Sequence, residues 1–406
     1  MTGLATESAS NVSLSARLKL LQPTAVNSVL AEARQAAAAG VDLVSLMRGE
    51  PDLPTPPHIN EAGQRALRSG RTMYPDNRGE ARLREAVSAK LSRQGLLYSA
   101  GSEILVTPGA TFGIYAALMA LLNEGDEVLL PEPIYDAYLS PVRMAGGAPK
   151  LVPARRAGGR FEIDPEALDS ACTPRTRVLL LNTPWNPTGT VLRRDELESL
   201  ASVVLRRKLT LISDEIYEAI TYDDCVHVSP VSHIPELRER TVIVNALSKT
   251  YCMTGWRVGY CAAPAPILDA MFLVLQQSSR GPATFVQDAA AEALNGPQDC
   301  VRKMRDEFAR RRAAVLVSLG DAPACRVIAP EGGFFAMVDL TALGLPSDRV
   351  RRRLLHEAGV VVVHGSAYGP SGEGLLRVSF AAGGETLALG LERLREGIIR
   401  IAASPS

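Results

Sequence analysis

The sequence predicts an α/β protein: a large unit with a mostly parallel seven-stranded sheet flanked by helices, and a smaller α+β unit formed by the N- and C-terminal parts. Three observations predict it. From Glu103 onward, short apolar runs closed by Pro, Gly, Asn or Asp alternate with longer helical stretches, the rhythm of parallel strands joined by crossover helices. After Asn295–Gly296–Pro297 the pattern changes to a strongly charged helix followed by alternating apolar pieces. A Pro-rich stretch, Pro51–Pro57, separates an N-terminal helix from the large sheet. The 406 residues, 46% of them hydrophobic, suffice for two or three structural units at about 100–200 residues each.

The first 20 residues are Ser/Ala-rich with Glu7 and no apolar core, and read as a disordered lead-in rather than a signal sequence. A helix over Ala25–Ala39 follows and is expected to pack with the C-terminal unit. The seven strands are expected at Glu103–Thr107, Glu127–Leu130, Pro149–Val152, Val178–Asn182, Leu209–Ser213, Thr241–Asn245 and Gly259–Ala262. Helices are expected at Thr111–Leu122, Arg193–Arg207, Pro264–Gln277 and Val301–Leu319, with further apolar pieces around Gly333–Asp339 and Leu375–Phe380. The organisation that results is 1–50 as arm and part of the small unit, 51–296 as the large unit, and 297–406 as the C-terminal small unit.

Lys+Arg and Asp+Glu both number 44, so no net field is available to hold nucleic acid or an acidic membrane face, and the partner expected is a small molecule. Six scattered cysteines without a C-x-x-C pair read as buried, reduced thiols of a cytoplasmic protein, and five histidines show no metal-ligand spacing, so no metal is expected. No run approaches the roughly 20 apolar residues of a membrane span.

In an open parallel sheet, ligands collect beyond the carboxyl ends of the strands. There the first strand leads into Pro108–Gly109–Ala110–Thr111–Phe112–Gly113, where small residues let backbone N–H groups approach a phosphate at a helix start. Alone this signal is weak, and the stretch reads as an ordinary strand–turn–helix junction with Thr111 as a cap. The fourth strand ends in Asn182–Thr183–Pro184–Trp185–Asn186–Pro187–Thr188–Gly189, a rigid turn presenting Asn186. The fifth ends in Asp214–Glu215–Ile216–Tyr217, with a carboxylate at the terminus and a phenol one helical turn later, or with Asp214 as a helix cap. The sixth leads into Ser248–Lys249 and then Gly255–Trp256–Arg257, a grouping suited to phosphate capture. Neither G-x-G-x-x-G nor G-x-x-x-x-G-K-[ST] occurs, which disfavours a nucleotide-binding protein.

Together these motifs resemble the class I/II aminotransferases of pyridoxal 5′-phosphate (PLP) fold type I, the aspartate aminotransferase superfamily, from about Leu20 to Arg400. The resemblance implies that Lys249 holds PLP as a Schiff base and shuttles the substrate's proton, and that Asp214 faces the ring nitrogen. It further implies that Tyr217 and Asn186 bond the ring oxygen, that Tyr135 stacks on the ring, and that Gly109, Ala110, Thr111, Ser248 and Arg257 hold the phosphate. Arg377 would grip the substrate α-carboxylate as a bidentate fork, with Gly49 and Asn186 beside it; as an alternative, Arg377 is a surface charge at a strand end. Tyr74 matches a tyrosine that crosses to the partner subunit's phosphate, so a homodimer with shared sites is implied. Bacterial aspartate and prephenate aminotransferases commonly carry lysine where Thr111 stands. Arg280 is either a substitute distal cation or an interface ion pair, and Trp185 and His364 are bulkier than the resemblance leads one to expect. The activity implied is amino-group transfer from an L-amino acid to a 2-oxo acid by ping-pong kinetics; oxidase, lyase and racemase reactions share the scaffold.

Overall fold

A computed structural model describes residues 13–404. The large sheet contains β1 (Ile104–Thr107), β2 (Glu127–Glu132), β3 (Ala148–Pro153), β4 (Thr176–Asn182), β5 (Thr210–Asp214), β6 (Thr241–Ala246) and β7 (Gly259–Ala262), in the spatial order β1–β7–β6–β5–β4–β2–β3. The five strands β3, β2, β4, β5 and β6 run parallel, and β7 is antiparallel to both its neighbours. All seven strands lie where the apolar runs predicted them, with no end shifted by more than two residues.

The reason these runs are strands is visible in their burial. A parallel strand covered on both faces has no solvent side, so it reads as continuous apolar sequence, and successive side chains go to opposite layers. In β4, Val178 and Leu180 join the core under helices Ala110–Leu121 and Ala265–Ser278. Leu179 and Leu181 join the core on the other face, with Leu197 and Leu200 of helix Arg194–Arg207 and Ala289 and Ala290 of helix Thr284–Asn295. The same alternation sends Val128 and Leu130 to one layer and Leu129 to the other.

The C-terminal part builds a second sheet from β8 (Arg326–Ile328), β9 (Phe335–Asp339), β10 (Val363–His364) and β11 (Leu375–Ser379), ordered β8–β9–β11–β10 and antiparallel throughout. Helices Asp299–Leu319 and Gly384–Ala403 cover it through Phe308, Val315, Leu391 and Leu394. Helix Ala25–Ala38 packs here, its Val29, Ala33 and Ala36 sharing a core with Leu355, Val361 and Tyr368. Val44–Ser45 pairs in parallel with Val360–Val361, tying the start of the chain to its end.

Three expectations change. Residues 1–12 of the expected lead-in lie outside the described residues, but Ala16–Leu20 form a 3-10 turn whose cap Ser15 accepts from the Arg17 N–H, so that stretch is ordered. Of the six cysteines, all free, only Cys261 is buried, the others being half-buried. Tyr217 does not sit on a helix: Glu218 N–H bonds Glu215 O and Ile220 N–H bonds Tyr217 O, a pair of turns that reverses the chain after β5.

Candidate active site

The carboxyl ends of β2, β4, β5 and β6 and the loop before helix Ala110–Leu121 open onto one cavity of about 1200 Å³. Ala110, Thr111, Tyr135, Asn186, Asp214, Tyr217, Ser248, Lys249, Arg257, Arg377 and Gly49 all line it.

Lys249 projects from the single turn Leu247–Thr250 at the end of β6, and its Nζ donates to Gly49 O at 2.6 Å. Gly49 therefore meets the site through its carbonyl, which accepts from the Lys249 amine. Burial pushes the Lys249 amine down to about 8; Arg257 and Arg377 act in the same direction, while Glu50 and Asp214 oppose it.

Asp214 closes β5 and is buried. Its Oδ2 accepts from Tyr138 Oη at 2.6 Å and its Oδ1 from the Ile216 N–H at 3.2 Å, so it caps a turn and not a helix. Burial raises its pKa to about 6 against the pull of those two donors. Tyr138 was missed by the sequence reading. The signal available was the spacing Tyr135–Asp136–Ala137–Tyr138: three residues on a 3-10 turn, Asp136–Tyr138, bring both rings together, edge to face at 5.3 Å.

Behind Asp214, Asn182 of β4 donates to the Asp214 carbonyl at 2.9 Å and accepts from the Asn186 N–H at 2.8 Å, fixing the turn that carries Asn186. Burial raises the Tyr217 phenol, and the Asn186 amide beside it opposes the rise.

At the other end of the cavity, Gly109 (φ +86°) precedes helix Ala110–Leu121, whose first N–H groups have no intrahelical acceptor. A Cβ on Gly109 would lie 2.7 Å from Arg257 Nη2, so glycine is what lets the guanidinium sit over the helix start. Arg257 itself is held at φ +54°, with Nη1 on Thr254 O at 3.0 Å.

Arg377 is 2% exposed on β11, which excludes the surface-charge alternative. Its Nη2 donates to Met47 O at 3.0 Å and Nη1 to Asn186 Oδ1 at 3.5 Å; the plane lies over Phe335 at 4.2 Å and Tyr368 at 5.0 Å. Among the described residues no carboxylate pairs with it, and its Nε has no partner. A buried cation left in this state calls for an anion from outside the chain.

Tyr74 and Arg280 lie away from the cavity. Tyr74 is 87% exposed, and Arg280 stands over its ring at 5.8 Å. Trp185 is a core residue: it packs on Phe161 and its Nε1 donates to Pro133 O at 2.8 Å. His364 lies on β10, bonded to Ser366 Oγ at 2.9 Å and away from the cavity. One cluster of ligand-type groups was invisible in the sequence: Glu215, Glu218 and His227 bring atoms within 4.8 Å of one another, but Ser213, Ser229, Lys90 and Gln94 already engage the carboxylates.

The family model for class I and II aminotransferases matches residues 41–393. The chain belongs to that family. A probable aspartate/prephenate aminotransferase of Aquifex aeolicus is 39% identical over 393 residues, 96% of this chain and 99% of that protein. An aromatic-amino-acid aminotransferase of Thermococcus litoralis is 36% identical over 95% of this chain and 98% of its own length. Among solved structures, the aspartate aminotransferase of Rhizobium meliloti superposes with a TM-score of 0.92 at 34% identity, covering 96% of this chain and all of that one.

As a class I/II aminotransferase the chain is a PLP-dependent enzyme that moves an amino group between an amino acid and a 2-oxo acid by the family's ping-pong cycle. Its own cavity fits that cofactor. A desolvated carboxylate wants a cationic N–H, an open helix start with an arginine over it suits a phosphate, and a depressed lysine amine suits an aldehyde. No helix among the described residues is long and apolar enough to cross a membrane.

Proposed function

We propose that the cavity is the transamination site, with Lys249 as the amine that bonds the cofactor as a Schiff base and then carries the substrate's Cα proton. The observation that carries this reading is the buried, unpaired Arg377 in the same cavity as the depressed Lys249 amine and the desolvated Asp214. Bound there, PLP would supply an aldehyde to take the substrate nitrogen and a cationic ring to hold the electron pair released at Cα.

The chain's own groups divide the remaining work. Arg377 would grip the α-carboxylate and Asn186 would orient it; Asp214, kept in place by Tyr138 and Ile216, would hold a proton on the ring nitrogen. Tyr217 and Asn186 would bond the ring oxygen, and Tyr135 would stack on the ring. The N–H groups of Ala110 and Thr111, the Ser248 hydroxyl and Arg257 would hold the phosphate. Because the Lys249 amine sits near 8, a useful fraction is neutral at neutral pH and able to accept a proton.

The enzyme is proposed to be a homodimer with shared sites, since Met73 and Tyr74 are 79% and 87% exposed and Arg280 stands with Tyr74 outside the chain's own cavity. The segments 1–50 and 297–406 would form the small domain against 51–296, supported by the common core of helix Ala25–Ala38 and the C-terminal sheet. Six free thiols are compatible with a reducing cytoplasm.

Borohydride reduction of the holoenzyme followed by peptide mapping tests the assignment: the reduced cofactor is expected on Lys249 and absent from Lys249→Ala. Label on another lysine would overturn it. Mixing Lys249→Ala with Tyr74→Ala chains tests sharing, because half of randomly paired dimers would carry one intact site and restore about a quarter of full activity. No recovery in verified mixed dimers would refute it.

A further inference from the structure

The charged groups lining the cavity can be assigned one by one. Arg48 pairs with Glu50 at 2.9 Å, and Asp52 with Arg311 at 2.8 Å. Under the proposed reading, Asp214, Arg257 and Lys249 serve the cofactor and Arg377 serves the α-carboxylate. One lining charge is then left over: Asp136.

Asp136 follows Tyr135 at the end of β2. Its Oδ2 accepts from the Ala25 N–H at 2.6 Å, pinning the first residue of helix Ala25–Ala38 to the cavity wall. Its Oδ1 is buried without a hydrogen-bond partner. Among the described residues no Lys, Arg or His pairs with it, and the cation whose charge acts on it is Arg377, already committed. The cavity that it lines includes apolar Val26, Leu30, Ile114 and Pro141 beside the neutral polar Thr24 and Asn27. Desolvation disfavours the Asp136 charge. A second carboxylate entering this space would meet a negative group with no cation to spare, in a medium where screening is weak.

We infer that Asp136 sets the side-chain class of the amino-acid substrate, selecting uncharged side chains over dicarboxylic ones. The inference rests on the reading of Arg377 as the α-carboxylate site, and it differs from the substrates that several relatives' names carry.

The test uses isosteric pairs on the holoenzyme in single-turnover stopped flow: L-glutamine against L-glutamate and L-asparagine against L-aspartate, with L-alanine as reference. The amide is expected to react with a rate-to-Kd ratio at least about tenfold above its acid. In Asp136→Asn this preference should shrink by about tenfold, and in Asp136→Glu it should persist. Calorimetric titration with unreactive succinate and its half-amide reads the same preference without turnover, the half-amide binding tighter.

A wild-type preference for the acids overturns the inference, whether or not Asp136→Asn is soluble. So does an unchanged ratio in a folded Asp136→Asn, or an acid preference that disappears in Arg280→Ala, which would assign the distal cation to the partner chain. If neither L-alanine nor any pair member discharges the cofactor's yellow absorbance, the transamination reading itself fails and the inference falls with it.

Discussion

Tyr138→Phe removes a single hydroxyl from the site and keeps its ring against Tyr135. That hydroxyl donates to Asp214 Oδ2 at 2.6 Å in a fully buried setting. Hydrogen bonds to charged groups contribute about 1.5–3 kcal/mol, and 1.36 kcal/mol corresponds to one pKa unit, so the loss should raise Asp214 by roughly one to two units. Starting from about 6, the carboxyl would then titrate between roughly 7 and 8. At pH 7 its ionised share would fall from about nine-tenths to between about a half and a tenth. Under the proposed placement of Asp214, only its ionised form would hold a proton on the cofactor's ring nitrogen, so affinity is expected to be lost as pH falls through the folded pKa. Titrating apoenzyme with PLP between pH 5 and 9 should therefore show wild-type affinity declining below about pH 6 and the variant's declining one to two units higher. Superimposable curves would refute the argument, because Tyr138 would then be packing alone.

Four further outcomes follow from the same geometry. Asp214→Asn should stabilise the apoenzyme while weakening PLP binding: a folded pKa of about 6 against 3.8 means stability falls as pH rises between those values, by about 3 kcal/mol in all. Urea unfolding at pH 7 and at pH 4 should show the gain at the higher pH only. Lys249 in the apoenzyme should react with pyridoxal, trapped by borohydride, along a profile rising through pH 8 rather than above 10, since burial depresses the amine; a midpoint near 10.5 would contradict this. Gly109→Ala should displace Arg257, whose Nη2 lies 2.7 Å from the new Cβ, and cost about tenfold or more in affinity for PLP but little for phosphate-free pyridoxal. Arg377→Lys keeps the charge but loses the fork, and kcat/KM should drop by about a hundredfold or more with L-alanine.

What the sequence disclosed about the site depended on burial. Residues such as Val178–Leu181 are apolar in succession because helices cover both faces of β4, so the strand is recognisable and the polar residue that ends it stands out. Asn182, Asp214 and Ser248–Lys249 were legible for that reason. The direction of β7 was not, because a four-residue buried strand has the same composition whichever way it runs. Nor was the contact of Tyr138 with Asp214: β2 and β5 are separated by β4 in the sheet and by some eighty residues in the chain. Arg377 could be assigned only by resemblance, since a strand-end arginine looks the same whether Phe335 and Tyr368 enclose it or water does.

Trp185 shows how a residue that looks out of place can support the chemistry without touching it. Its indole lies in the core beside Phe161, and its Nε1 holds Pro133 O at 2.8 Å. Pro133 belongs to the segment that leads to Tyr135, and Trp185 to the turn that presents Asn186. One bond therefore fixes the loop after β2 relative to the loop after β4. Asn182 adds the third strand by bonding both the Asn186 N–H and the Asp214 carbonyl. Three cavity-lining groups are thus braced from behind by buried donors and acceptors that solvent does not reach, which is what a site needs if its electrostatics are to be in place before the substrate arrives.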